Sequence, residues 1–154
     1  MRTLFASLLA LVLLGAPANS QEQSSDNWIT MTTDRSVQEA VGALTDAIEG
    51  AGATVMATVD HSQNAQSAGL ELPATTLVIF GNPKIGTPLM QENRRVAIDL
   101  PQKILIWDED GQTTIGYLAP EALAKRHGLA TDSESIKTMT GALDKLSSAA
   151  AGEQ

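Results

Sequence analysis

The run QKILIWDEDGQTTIGYL, residues 102–118, restricts the fold more than any other stretch. Two β-forming segments, 102–107 and 113–118, flank Asp108-Glu109-Asp110-Gly111, and an Asp-Gly pair favours the tight turn of a hairpin. A parallel pair would need a crossover of a dozen or more residues, usually a helix. Nothing of that length separates these two strands. The chain is therefore predicted to build a largely antiparallel sheet, not an alternating βαβα layer.

The other elements fit around that hairpin. WITMTT, Trp28–Thr33, reads as a first strand. Ser36 and Glu39 match a capping box, and Val37, Ala40, Val41, Leu44 and Ile48 follow at helical spacing until Gly50 and Gly52 end the helix. TVMATVD, Thr54–Asp60, is a second strand with Val55, Ala57 and Val59 on one face. A short polar helix capped by Ser62 and closed by Gly69 follows. TTLVIF, residues 75–80, is apolar almost throughout and reads as a central strand. A short helix is assigned to 89–97. Pro120 and Gly128 bracket another helix. Thr131 and Glu134 form a second capping box, after which Ile136, Met139, Thr140, Leu143 and Leu146 face the core. This order predicts an α+β two-layer sandwich with its long helices on one side of the sheet.

The ends are read differently. Arg2, an apolar run over 4–14 and a small-residue site at Ala18-Asn19-Ser20 have the form of a secretory signal peptide over 1–20. The cut is expected after Ser20, with Ala18 as the alternative. The run is shorter than the roughly 20 residues a membrane span needs. A periplasmic or secreted location, soluble after cleavage, is the expectation. Residues 21–27 are expected to be a disordered lead-in, 28–147 one domain, and 148–154 a flexible tail. The chain has no cysteine, so no disulfide and no lipid attachment at the cleavage site is expected, and stability must come from an ordinary core. A net charge of −8 disfavours nucleic acid and anionic membrane surfaces as partners.

Four stretches could carry chemistry. VIFGNPKIGTPLM, residues 78–90, has the glycine spacing of a phosphate loop at Gly81 and Gly86, but Thr87-Pro88 follows where Lys and Ser or Thr belong. Pro83 and Pro88 also remove two N–H donors. A rigid turn, with Gly81 at positive φ and a helix starting at Thr87-Pro88, explains the segment better. Such a turn could present Asn82 and Lys84 to a ligand. Asp60-His61-Ser62 ends a strand, where His61 is a general base or a metal ligand, or else a surface residue while Asp60 or Ser62 caps the following helix. His127, in the last turn of a helix, is explained by the helix dipole. Asp99 and Lys103 lead into the KILIW strand and can pair there. Two histidines and no cysteine leave little for a transition metal, and no metal site or cofactor is expected.

Three stretches carry a resemblance: VDHSQNAQSAGLELPATTLVIFGNPKIGTPLM, IDLPQKILIWDEDG and YLAPEALAKRHGL. In their strings FGNPK-x-GT-x-LM and DLP-x-K-x-L-x-W, the chain resembles the bacterial and archaeal domain-of-unknown-function family numbered 302. The resemblance implies a β-α-β4-α fold of the TATA-box-binding-protein-like type and a homodimer. It implies no reaction. It picks out His61, Gly81, Asn82, Pro83, Lys84, Gly86, Asp99, Pro101 and Lys103 as motif positions. The resulting expectation is a non-enzymatic dimeric domain binding a small or anionic ligand at His61, Asn82, Lys84, Asp99 and Lys103, with Gly81, Pro83, Gly86 and Pro101 shaping the site. The alternatives are an enzyme using His61 as general base, and a purely structural dimerisation module.

Overall fold

Six strands lie in the order β1-β2-β6-β5-β4-β3, every neighbouring pair antiparallel, with the helices packed against one face. The computed structural model describes residues 22, 23 and 27–153; the signal-peptide reading of 1–20 falls outside these residues. In chain order the elements are β1 (Glu22–Gln23), β2 (Trp28–Thr33), α1 (Val37–Gly50), β3 (Thr54–Asp60), α2 (His61–Ser67), β4 (Thr75–Gly81) and α3 (Pro83–Glu92). A 3-10 turn (Arg94–Ile98), β5 (Gln102–Glu109), β6 (Gln112–Leu118), α4 (Pro120–His127) and α5 (Glu134–Ala151) complete the chain. This is the α+β sandwich expected from the hairpin. Asp110 (φ 53°) and Gly111 (φ 88°) make its two-residue turn, as an Asp-Gly pair can.

The core lies between the sheet and the pair α1 and α5. Paired residues of antiparallel strands share a face. The rows Met31–Ile115–Ile106 and Ile104–Val78 therefore point together toward Leu44, Ile48, Ile136 and Leu143 on the helices. Leu44, Ile48, Ile104 and Ile106 are fully buried, which stabilises the fold by about 1.5–3 kcal/mol each. The α1 capping box forms as the sequence suggests, Ser36 and Glu39 satisfying each other's backbone N–H groups. Gly128 takes the left-handed conformation (φ 66°) that ends α4.

Five expectations need correction. A bulge at Met56 splits the β3 pattern: Val55 pairs with Phe80 on the helix face, while Ala57 and Val59 pair with Ile79 and Leu77 on the other. Of the two residues that could cap α2, it is Asp60 and not Ser62 that does so, accepting the Gln63 N–H. Ser133 rather than Thr131 caps α5. Glu22 and Gln23, placed in the disordered lead-in, pair with Thr30 and Ile29. The tail expected to be flexible from 148 belongs to α5 as far as Ala151, with Ser147 and Ala150 buried. Its end is held by Arg35, whose guanidinium donates to the Ala149 and Ala150 carbonyls at 2.8 and 2.9 Å, and by the Thr33 hydroxyl, which donates to Ala151.

Candidate functional site

The segment that read as a rigid loop is mostly helix. Asn82 is the N-cap of α3, its side-chain oxygen accepting the Lys84 N–H at 3.0 Å, and Pro83 occupies the first helical position. Pro88 lies inside the helix and not at its start. Gly81 is not among the residues with positive φ; it ends β4 in extended form beside Pro101. The Leu100–Pro101 peptide bond is cis.

This arrangement opens a cavity of about 620 Å³. Its floor is the end of the sheet, from Phe80, Gly81, Pro101 and Gln102. One wall is α3, through Pro83, Gly86, Thr87 and Met90, which recur at the spacing of a single helix face. The opposite wall is α5, through Thr138, Gly141, Ala142 and Lys145 at that same spacing. Ala51, Ala53 and Met56 close the third side, and Ala97 and Leu100 border α3. The surface is mainly apolar. Among the described residues no buried side-chain nitrogen or oxygen lacks a hydrogen-bond partner.

The cavity sorts the motif residues into two sets. Gly81, Asn82, Pro83, Gly86 and Pro101 line it. Lys84 is on the exposed side of α3, and Lys103 follows Gln102 on a strand, so it points to the opposite face of the sheet. Its ammonium donates to the Asp99 and Pro101 carbonyls, both at 2.9 Å. His61 is farther still. Thr54 pairs with Gly81 and Asp60 with Thr76, so the length of β3, about 20 Å, separates His61 from Asn82. The single polar surface expected from His61, Asn82, Lys84, Asp99 and Lys103 is thus not assembled. The strand order sends the two ends of β3 to opposite edges of the molecule.

His61 is exposed, and among the described residues its side chain makes no hydrogen bond. The neighbouring Asp60 carboxyl is held below its ordinary value by the Ser62 hydroxyl and the Gln63 N–H, both of which favour its charged form. The histidine with a carboxylate partner is His127. Its Nε2 lies 2.5 Å from Asp99 Oδ2, the side chain is 9% exposed, and Arg126 meets the other Asp99 oxygen at 3.1 Å. Asn93 caps the 3-10 turn with its oxygen and donates its amide to the His127 carbonyl at 2.8 Å. The cluster fastens the 3-10 turn to the end of α4. A pairing across 28 residues leaves no local sequence signal, so the sequence supported only the helix dipole for His127. No group of three or more His, Asp or Glu among the described residues could hold a metal ion.

Known proteins place this geometry in context. An uncharacterized conserved protein of Bacillus stearothermophilus, DUF302, has a crystal structure that superposes with a TM-score of 0.66 at 20% identity, covering 82% of this chain and 96% of that one. Two Brucella proteins named fluoride-specific ion channel FluC 1, from Brucella suis and Brucella abortus, are each 37% identical over 127 residues, 81% of this chain. Those residues make up 50% and 47% of the two proteins, so the chain spans about half the length of the curated relatives it matches. No helix among the described residues is long and apolar enough to cross a membrane. Residues 29–146 match the family described as domain of unknown function DUF302, and the chain belongs to that family.

Proposed function

We propose that this DUF302 domain is a non-enzymatic binding protein that takes up a small, largely apolar ligand in the cavity between α3, α5 and the sheet end. The observation that carries the reading is the lining: the family's own FGNP and LP strings build an apolar cavity of about 620 Å³. That volume is in the ordinary range for small-molecule sites, roughly 300–1,000 Å³. Gly141 supports it from the other wall. A Cβ at Gly141 would meet nothing within 4 Å, and glycine inside a helix costs about 1 kcal/mol relative to alanine. The helix therefore bears a penalty at a point where a side chain would occupy the cavity. Of the residues expected to hold a ligand, Asn82 alone belongs to this reading, as the cap that sets the position of α3. The enzyme reading loses support from the exposure of His61.

Two further parts of the reading concern the whole protein. It acts after export, on the strength of the basic, apolar and small-residue succession over 1–20, and the intact mass of purified protein made in a secreting host checks this. It works as a homodimer, supported by the apolar open face of the sheet. The channel activity named for the Brucella proteins belongs to chains about twice the matched length.

Titration with a neutral apolar fluorophore such as N-phenylnaphthylamine tests the cavity. One equivalent should bind with a fluorescence rise, and Gly141→Leu, which extends a side chain into the space, should abolish it while leaving the circular dichroism unchanged. Uptake that is absent in the parent protein, or unaltered by Gly141→Leu, overturns the reading.

A further inference from the structure

The charges around the cavity mouth indicate which class of apolar ligand fits. The chain carries 18 acidic against 10 basic residues, yet the lining contains no aspartate or glutamate and does contain Lys137 and Lys145. Both are exposed residues of α5, eight positions apart, and so about 12 Å from one another along the helix. Neither makes a salt bridge or a side-chain hydrogen bond among the described residues. Between them Gly141 and Ala142 leave the wall low. An apolar interior thus opens under two unpaired ammonium groups, on a protein whose surface is otherwise dominated by carboxylates.

We infer that the ligand is a single-chain amphiphile with an anionic head, a fatty acid carboxylate, its chain in the cavity and its head between Lys137 and Lys145. This rests on the reading of the cavity as a ligand site and adds the head group to it. The lysines supply a charge-assisted contact that a neutral head of the same size lacks. The chain supplies the larger share of affinity, since each buried methylene is worth roughly three- to fourfold in binding. An exposed pair contributes less, so the two lysines together should favour carboxylate over alcohol by on the order of three- to tenfold. Added salt should narrow that preference, because both ammonium groups face solvent.

The test is displacement of bound N-phenylnaphthylamine from the purified protein by saturated fatty acids of eight to twelve carbons, below their critical micelle concentrations, and by the matching n-alkanols, below their solubility limits. Affinity should rise with chain length in both series, and each acid should bind several-fold more tightly than its alcohol. In the Lys137→Gln/Lys145→Gln double variant the acid should fall to the level of the alcohol, whose binding stays unchanged. Gly141→Ala, a smaller intrusion than leucine and favourable for the helix, should weaken both series together. Acids and alcohols binding equally well to the parent protein would leave the cavity reading intact and overturn the head-group inference. So would an acid preference that survives in the double variant. Failure of both series to displace the fluorophore, with the fluorophore itself bound, overturns the chain-length part and hence the amphiphile. Failure of the fluorophore to bind removes the cavity reading and this inference with it.

Discussion

Gly116 shows how one residue without a side chain organises the sheet. It is buried in β6, opposite Thr30 and Leu105, and a Cβ placed there would lie 2.9 Å from Trp107 Cζ3 and 3.1 Å from Trp28 Cε3. The two indoles meet edge to face above it, with ring centroids 6.3 Å apart. Glycine normally weakens a strand interior, and here the close approach of two rings supplies the reason for it. Gly116→Val must push the rings apart, and the expected loss is about 1–3 kcal/mol, read from the midpoint of urea unfolding followed by tryptophan fluorescence. An unchanged midpoint would mean that the rings reorient freely. Neither this contact nor the Asp99–His127 pair could be read from the sequence, because both join residues far apart in the chain and no local period links them. Asn82, Gly81 and Pro101 were legible as motif positions, but not as cavity walls. Their neighbours Lys84 and Lys103 looked equally eligible until the helix phase and the strand alternation turned them away.

At the level of elements, strands were easier to read than helix boundaries. Five of the six strands, β2 to β6, follow from β-branched, apolar runs between turn residues, and the structure keeps them within two residues. Helix α3 was harder, since Pro88 imitates a helix start while Pro83 is the true first position. Two capping arrangements lead to measurable expectations. The Glu39 carboxyl is held below its usual value of 4.5 by the Ser36 hydroxyl and then by the Ser36 N–H. A carboxyl whose folded value is depressed adds stability above its unfolded value and loses that stability as the pH falls through the folded one. Glu39→Gln keeps the box hydrogen bonds but not the charge. Its deficit relative to the parent protein should therefore be present at pH 7 and shrink below about pH 4.5, as measured by urea midpoints across pH. The second expectation concerns the far end of α5, where Arg35 supplies two donors and a positive charge to a helix C-terminus. Arg35→Ala should cost about 1–2 kcal/mol, while Arg35→Lys recovers part of it. Faster amide exchange confined to the last turn of α5 would locate the loss.

For the molecule as a whole, the helices cover one face of the sheet and leave the other open. An antiparallel sheet with a solvated face usually carries polar residues at its outward positions. Here the outward rows bring together Leu105, Leu77 and Val59, with Ile79 and Ala57 beside them and the Trp28–Trp107 pair at one side. Most of these side chains are half-buried, and the long helices α1 and α5 pack on the opposite face. Lys103, paired with Ile79, interrupts this face at one end, where its ammonium is tied back to the Asp99 and Pro101 carbonyls; the apolar rows beside it have the character of an interface. A second copy, presenting the same rows, would pack face to face as two sheets do in a sandwich, and a two-fold axis makes one patch serve both sides. The cavity opens on the helix side, so pairing through the sheet leaves it accessible. Sedimentation of the parent protein at micromolar concentration should accordingly give a dimer. Leu77→Lys/Leu105→Lys should give a monomer that still takes up N-phenylnaphthylamine, because neither residue reaches the helix face. A parent protein that sediments as a monomer, or a double variant that remains dimeric, would remove the sheet face from this role and leave its apolar rows without an explanation. A monomeric variant that has lost the fluorophore would instead show that the two faces are coupled through the sheet.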